Sequence, residues 1–376
     1  VKTFDLVDNQ LFRFKIYKTP SETILFSDVH HIITDGESLD NLFNNIANAY
    51  EGKGLDEEAV DGYLISIIEK ENENSEHFEL SKRYFEKQLS NEIDATILTP
   101  DLNGDQENGI LRPISMNVDL EKIVEFCSEK KISPNVLVMV GTILTLNKYT
   151  FSDKTLITTI FNGRANPNYY NTQGFLVKTV PLISVNENRK QTIGEFLKQI
   201  SDTWKNTINH SDYPYMNISE DYGIKPEFFY AYHNLDSEKI EINSKTYEVE
   251  YLPTVETNYK IIFDVHETVD NIEFFLQYND QLYSEKYVET FLESIKTTMA
   301  KIIESDIEKL MIKDIELETE RPLPEFPPVE IPFLHKRFER QVDEKPDEIA
   351  LVATDATLTY KELNEKANRI ANALID

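Results

Sequence analysis

The chain has 376 residues, enough for two or more domains. An apolar content of 40% and an aromatic content of 11% support a packed core and exclude a disordered chain. With 67 acidic against 38 basic residues the net charge is −29, and no dense Lys/Arg cluster offsets it, so nucleic acid is excluded as a partner.

Taken in chain order, "LFRFKIYK" within residues 1–20 alternates like a half-buried strand, and Thr23 to Val29 reads as a second strand. Leu39, Leu42, Phe43, Ile46 and Tyr50 then follow helical spacing, which leaves His30 to Gly36 as a strand-to-helix loop. Residues 55–90 read as helical, with Phe78, Leu80, Tyr84, Phe85 and Leu89 on the buried face. After the turn-rich stretch 98–109, "LRPISMNVD" is a predicted strand, Leu120 to Lys130 a helix and Asn135 to Lys148 an apolar helix. "TLITTIF" and "GFLVKTVPLIS" are predicted strands, and Ile193 to Ile208 is amphipathic. "FFYAYHNL", "KTYEVEYLP", "YKIIFDVHE" and "NIEFFLQYN" are further strand candidates. Tyr287, Phe291, Ile295, Met299 and Ile302 mark a long helix. "RPLPEFPPVEIP" (321–332) is rich in proline and predicts an extended linker. Beyond it come a short helix (His335 to Gln341), a hairpin in "EIALVATDATLTY" and a helix from Lys361 to Ile375.

The longest apolar stretch, Val136 to Leu146, is far short of the ~20 residues that span a bilayer, so no membrane role is expected. The chain starts at Val1 with no signal segment after it, and is read as a fragment cut at its N-terminus. The single cysteine, Cys127, excludes an internal disulfide and fits a reducing cytoplasm; on a helix it reads as a small apolar residue. Only 11 glycines occur, with no glycine-rich phosphate loop.

The chemistry concentrates in "DVHHIITDGESLD" (28–40). Neighbouring residues on a strand point to opposite faces, so only one of His30 and His31 faces a given cleft. Asp35 is placed to hold the loop, Gly36 to give a backbone shape that other residues resist, and Ser38 to cap the helix. Adjacent histidines rarely share one ion and no second His/Cys cluster follows, so no metal is expected. From the loop alone, a polar turn and a histidine positioned for proton transfer both stand.

"HHIITDG" fits the HHxxxDG motif, and further stretches follow in order. "NGRANPNYYNTQGFLVKTVPL" (162–182) is similar to a segment ending in a GxFVNTxPL-like run, and "HSDYPY" (210–215) to an HQDYPF-like motif. "KISPNVLVMVGTILTLNKYT" is similar to the family helix that follows the start of the second lobe. The chain thus resembles the condensation domains of nonribosomal peptide synthetases. Its last part, with "LTYKEL" at Leu358 to Leu363, resembles the opening of an adenylation domain. There are departures. Lys178 stands where the FVNT run has Asn, "GYLISIIEK" matches the family's YxDxAxW motif poorly, and no late arginine motif is recognisable near "FFYAYHNLD", which leaves Asp35 without a partner.

The resemblance implies a chloramphenicol-acetyltransferase-like, two-lobed α/β sandwich. Residues 1–95 are the truncated N-terminal lobe, 96–315 the C-terminal lobe, 316–333 the linker and 334–376 the start of the adenylation domain. The implied reaction is amide-bond formation between an acyl or peptidyl thioester on an upstream donor carrier and an aminoacyl thioester on a downstream acceptor carrier. The carriers supply the 4'-phosphopantetheine; ATP and Mg belong to a full adenylation domain. His31 is the implied catalytic group, as base or as positioner of the amine. His30, Asp35 and Gly36 support the loop, Gly36 also as a possible backbone donor, and Asp212 and Tyr213 serve the structure of the second lobe. An epimerisation domain shares HHxxxDG but is not ordinarily followed by an adenylation domain. A heterocyclisation domain carries aspartates in place of the histidines. The non-enzymatic alternative is a degenerate domain kept as a carrier-binding platform.

Overall fold

In the computed structural model, alternation along short β-branched and aromatic runs builds a six-stranded sheet. The structure describes residues 3–55, 57–90, 93–104, 109–186, 188, 190–225, 227–234, 239–249, 259–268, 271–317, 334–353 and 356–375. The chain divides into two compact units, Val1–Pro322 and Leu323–Asp376.

The first unit opens with an antiparallel hairpin, β1 (Phe12–Lys18) and β2 (Thr23–Val29), followed by α1 (Gly36–Tyr50), α2 (Gly62–Asn72) and α3 (Glu76–Leu89). Then come β3 (Leu111–Val118), α4 (Leu120–Lys130), α5 (Pro134–Thr150), β4 (Lys154–Phe161), β5 (Lys178–Val185), α6 (Ile193–Asn209) and α7 (Tyr215–Tyr222). The unit is completed by β6 (Phe228–Asn234), β7 (Lys239–Ile242), β8 (Lys245–Glu248), β9 (Ile261–Glu267), β10 (Ile272–Asn279) and α8 (Glu285–Ile303). The large sheet has the order β3-β10-β9-β6-β4-β5. Its middle pairs, β9 with β6 and β6 with β4, are parallel, and the flanking pairs are antiparallel.

One face of the sheet carries Tyr230, Phe263, Val265, Phe274 and Leu276, all fully buried against helices. α5 is apolar nearly all round, which suits a helix covered on every side. It crosses α8 so closely that a Cβ on Gly141 would lie 2.7 Å from Met299 Cγ. Tyr287, Phe291, Ile295, Met299 and Ile302 of α8 are all buried, as their spacing predicts. Cys127 lies buried on α4, and burial, with Glu267 nearby, pushes its thiol up to about 12. A second cluster joins Phe85 and Leu89 of α3 to Leu156, Ile183, Tyr213 and Ile218.

Several sequence expectations are corrected. Residues 55–90 form two helices, and Leu80 is 46% exposed, since it lies about 200° round the helix from Phe78. "GFLV" lies outside β5, because the Leu176 and Val177 N–H groups bond a side chain instead of a strand. "KTYEVEYLP" forms a strand only over Lys245–Glu248, and its last residues lie outside the described ones. α7 and β7 were not expected.

In the second unit, α9 (Leu334–Glu344) precedes a hairpin of β11 (Ile349–Val352) and β12 (Thr357–Thr359), and α10 (Tyr360–Ile375) follows. Within "LTYKEL", Thr359 N–H donates to Glu362 Oε2 (2.9 Å) and Glu362 N–H donates to Thr359 Oγ1 (3.2 Å), a reciprocal cap that starts α10. "RPLPEFPPVEIP", expected to be an extended linker, lies outside the described residues. No helix among the described residues is long and apolar enough to cross a membrane.

Candidate functional site

The loop after β2 is fixed first by His30. Its backbone N–H donates to Leu11 O (2.8 Å), and its Nδ1 accepts from Ile32 N–H (3.1 Å). The ring of Phe4 meets the His30 ring edge-on, with centroids 5.7 Å apart. His30 therefore packs and caps the short turn His31–Ile33.

His31 has a different environment. Its Nδ1 lies 2.6 Å from the Thr34 carbonyl oxygen. A carbonyl only accepts, so in the neutral ring Nδ1 carries the proton and Nε2 keeps the lone pair. The ring is exposed, and it stands perpendicular to Phe175 with centroids 5.1 Å apart. The turn thus holds an imidazole whose outer nitrogen can accept a proton or a hydrogen bond.

Asp35 anchors this turn to a segment far along the chain. Its carboxylate faces Arg164 through two parallel bonds, Nη1 to Oδ2 (2.8 Å) and Nη2 to Oδ1 (2.9 Å). It also accepts from the N–H groups of Ser38 (2.9 Å), Leu176 (2.9 Å) and Val177 (3.1 Å). Arg164 further donates to Ser38 Oγ (2.9 Å), Asn162 O (3.0 Å) and Thr172 O (3.1 Å). The two side chains are 3% and 1% exposed, so the pair is desolvated; the shared donors and acceptors offset most of its burial, and Arg164 Nε has no partner among the described residues. Asp35, not Ser38, caps α1; the Ser38 hydroxyl bonds Arg164, the Gly174 N–H (3.1 Å) and the Gly174 carbonyl (2.8 Å). Arg164 is the partner of Asp35, and it lies well before "FFYAYHNLD", the region where the family resemblance places an arginine.

Burial by itself raises the Asp35 carboxyl, but the Arg164 hydrogen bonds and the backbone donors outweigh it, holding the group below its ordinary 3.8. A lowered folded value stabilises the fold fully above the unfolded pKa, and this is lost as pH falls through the folded one. The melting-temperature gap between wild type and Asp35→Asn is therefore expected to hold steady from about pH 7 to 5 and to narrow below about pH 4. A gap unchanged at low pH would contradict this assignment.

Gly163, just before Arg164, has a φ of +72°, and a Cβ there would sit 1.8 Å from the Leu176 carbonyl oxygen. Gly163→Ala is expected to cost about 3 kcal/mol or more, read by urea unfolding, because both backbone strain and a backbone clash oppose it. Gly36, by contrast, is not among the positive-φ glycines, which corrects the expectation that its backbone needs glycine. It is the first residue of α1, and a Cβ there would meet nothing within 4 Å.

Asp212 accepts from Lys178 Nζ (2.8 Å) and lies 3.2 Å from His77 Nδ1. Tyr213 is buried, donates to the Asp221 carboxylate and meets Phe78 edge-on at 5.3 Å. Both residues thus tie the stretch after α6 to α3. Lys178 also reaches Glu69 Oε1 on α2 (3.2 Å). Burial alone lowers the Lys178 ammonium, but Asp212 and then Glu69 outweigh it and raise its pKa. The structure therefore brings His30, His31, Asp35 and Gly36 together with Arg164, while Asp212 and Tyr213 belong to a neighbouring polar seam. Arg164 lies inside the quoted run 162–182, but no local pattern singled it out.

A condensation-domain family profile matches residues 1–318. Over the full chain, gramicidin S synthase 2 of Aneurinibacillus migulanus is 27% identical and bacitracin synthase 1 of Bacillus licheniformis 24% identical. The chain spans only 9% and 8% of the length of these relatives. Among solved structures, the condensation domain of a monacolin K polyketide synthase superposes with a TM-score of 0.69 at 17% identity, covering 83% of this chain and 76% of that one. A four-domain nonribosomal peptide synthetase bound to AMP and glycine gives 0.68 at 17% identity, covering 99% of this chain and 31% of that one. These likenesses bear out the mixed α/β fold, and with the profile match they show that the chain belongs to the condensation-domain family, whose members in nonribosomal peptide synthetases are acyltransferase-type enzymes that form amide bonds.

Proposed function

We propose that this chain joins an upstream carrier-bound acyl or peptidyl thioester to the amine of a downstream carrier-bound aminoacyl thioester. The observation that carries the reading is the 2.6 Å contact of His31 Nδ1 with Thr34 O, which in the neutral ring spends Nδ1 and leaves Nε2 as an acceptor on an exposed residue. The amine nitrogen attacks the thioester carbonyl, a C–N bond forms, the C–S bond breaks, and the thiol leaves on the donor arm. His31 Nε2 accepts a hydrogen bond or a proton from the attacking nitrogen. Holding both substrates in one cleft supplies much of the rate. Gly36 N–H, at the open start of α1, is a donor available to the reacting carbonyl.

The platform reading draws on the missing partner of Asp35 and on the weak motifs; Arg164 supplies that partner, and the weak match at "GYLISIIEK" stands. In the same reading, residues 1–95 and 96–315 are the two lobes, 316–333 the linker, and 334–376 open an adenylation domain whose "LTYKEL" forms the cap of α10. Asp212 and Tyr213 have structural roles, and the single buried cysteine fits a cytoplasmic setting. The intact module, with both carriers loaded, should release the amide on the downstream carrier, identified by mass. Carrier binding without product would support the platform, and α-proton exchange with deuterated water on one loaded carrier would support an epimerase.

A further inference from the structure

We infer that Lys178 is a positioning residue for the His31 loop, acting through the backbone of Leu176 and Val177. Lys178 directly follows the two residues whose N–H groups hold Asp35 at 2.9 and 3.1 Å. Its Nζ is pinned on two other elements, by Asp212 at 2.8 Å and by Glu69 of α2 at 3.2 Å. Asp212 is held in turn by His77 of α3 at 3.2 Å. The Lys178 side chain is 22% exposed, while the Asp212 and Glu69 side chains are 40% and 50% exposed, so the lysine is half-buried between two carboxylates that face solvent.

The geometry gives Lys178 a task. The segment from Gly174 to Val177 crosses the site without a ladder of its own, and its N–H groups serve the carboxylate. The middle of the segment is held by these two bonds and by the buried Leu176 side chain, and its two ends are held separately. At the first end Gly174 is bonded to the Ser38 hydroxyl through both its N–H and its carbonyl. At the other end β5 begins with Lys178, whose ammonium ties the strand start to α2 and to the turn after α6. Phe175, which stands against the His31 ring, lies between these anchors. Loss of the Lys178 charge removes the tie to α2 and to the turn after α6 and leaves the strand start held only by its pairing with Phe161 of β4, and Phe175, the two N–H groups and the His31 loop loosen with it. An asparagine at this position, as in the FVNT-like run, has too short a side chain to reach both carboxylates.

The catalytic part of this inference rests on the proposed amide-forming reaction; the structural part does not. The test uses the intact module with both carriers loaded, comparing wild type with Lys178→Met and Lys178→Arg. Lys178→Met keeps an apolar stem of similar length and removes the charge. It is expected to slow single-turnover amide formation by about ten- to a hundredfold, with carrier affinity and melting temperature close to wild type. Hydrogen exchange at Leu176 and Val177 is expected to speed up, as in a local opening. Lys178→Arg is expected to restore most of both readouts. Exchange at these two amides at the wild-type rate overturns the inference, as does a rate loss that only follows a fall in melting temperature. If the wild-type module forms no amide, the reaction assignment fails, and the exchange rates still decide the role of Lys178.

Discussion

Arg164→Ala is expected to destabilise the first unit by about 3–5 kcal/mol, the cost of leaving a buried charge without its partner. Asp35, 3% exposed with the arginine in place, would face the Ser38, Leu176 and Val177 N–H groups but no cation. The Ser38 hydroxyl and the Thr172 and Asn162 carbonyls would lose a donor in the same step. Arg164→Lys keeps the charge but cannot form the two parallel bonds, so it should fall between wild type and alanine. Urea unfolding of the three proteins reads the order directly. The double variant with Asp35→Ala should cost less than the sum of the single changes, because the two groups act as one unit. A loss under about 1 kcal/mol for Arg164→Ala would make the pair no stronger than a surface bridge and contradict its role as the anchor of the loop.

His31→Ala is expected to lower the rate of amide formation by roughly 10²–10⁴-fold, the range for a lost proton-transfer group. The fold should hardly respond, since the ring is exposed and its bond to Thr34 O lies within the turn itself. His31→Asn makes a sharper variant. Its amide can still donate to Thr34 O, so the turn keeps its bond, but nothing replaces Nε2. It should be as slow as the alanine variant while melting nearer to wild type. An asparagine variant that works well would shift the role of His31 from its outer nitrogen to the turn.

Much of the fold is legible in the sequence because its signals are local. The apolar run of α5, the spaced Tyr287, Phe291, Ile295, Met299 and Ile302 of α8, and the β-branched run of β4 each carry their own period. The loop of His30 and His31 is legible between a strand and a helix for the same reason. What pairs across distance was not legible. Asp35 and Arg164 are 129 residues apart, and nothing in "NGR" says which carboxylate the guanidinium meets. A hydroxyl at a helix start is a common cap, which points to Ser38, yet that hydroxyl is drawn off by Arg164 and Gly174. Lys178 was visible as a departure from the motif, but its partners on α2 and after α6 come together only in the folded chain.

The most direct test is a single-turnover experiment on the intact module, with an acyl thioester on the donor carrier and an aminoacyl thioester on the acceptor carrier. Rapid quenching and mass analysis follow the amide on the acceptor carrier for wild type and for His31→Asn. Wild type should move the acyl group onto the acceptor amine, and the variant should do so at least about 100-fold more slowly with both carriers still bound. Equal rates for the two proteins, or no amide from wild type, would contradict a reaction centred on His31 Nε2.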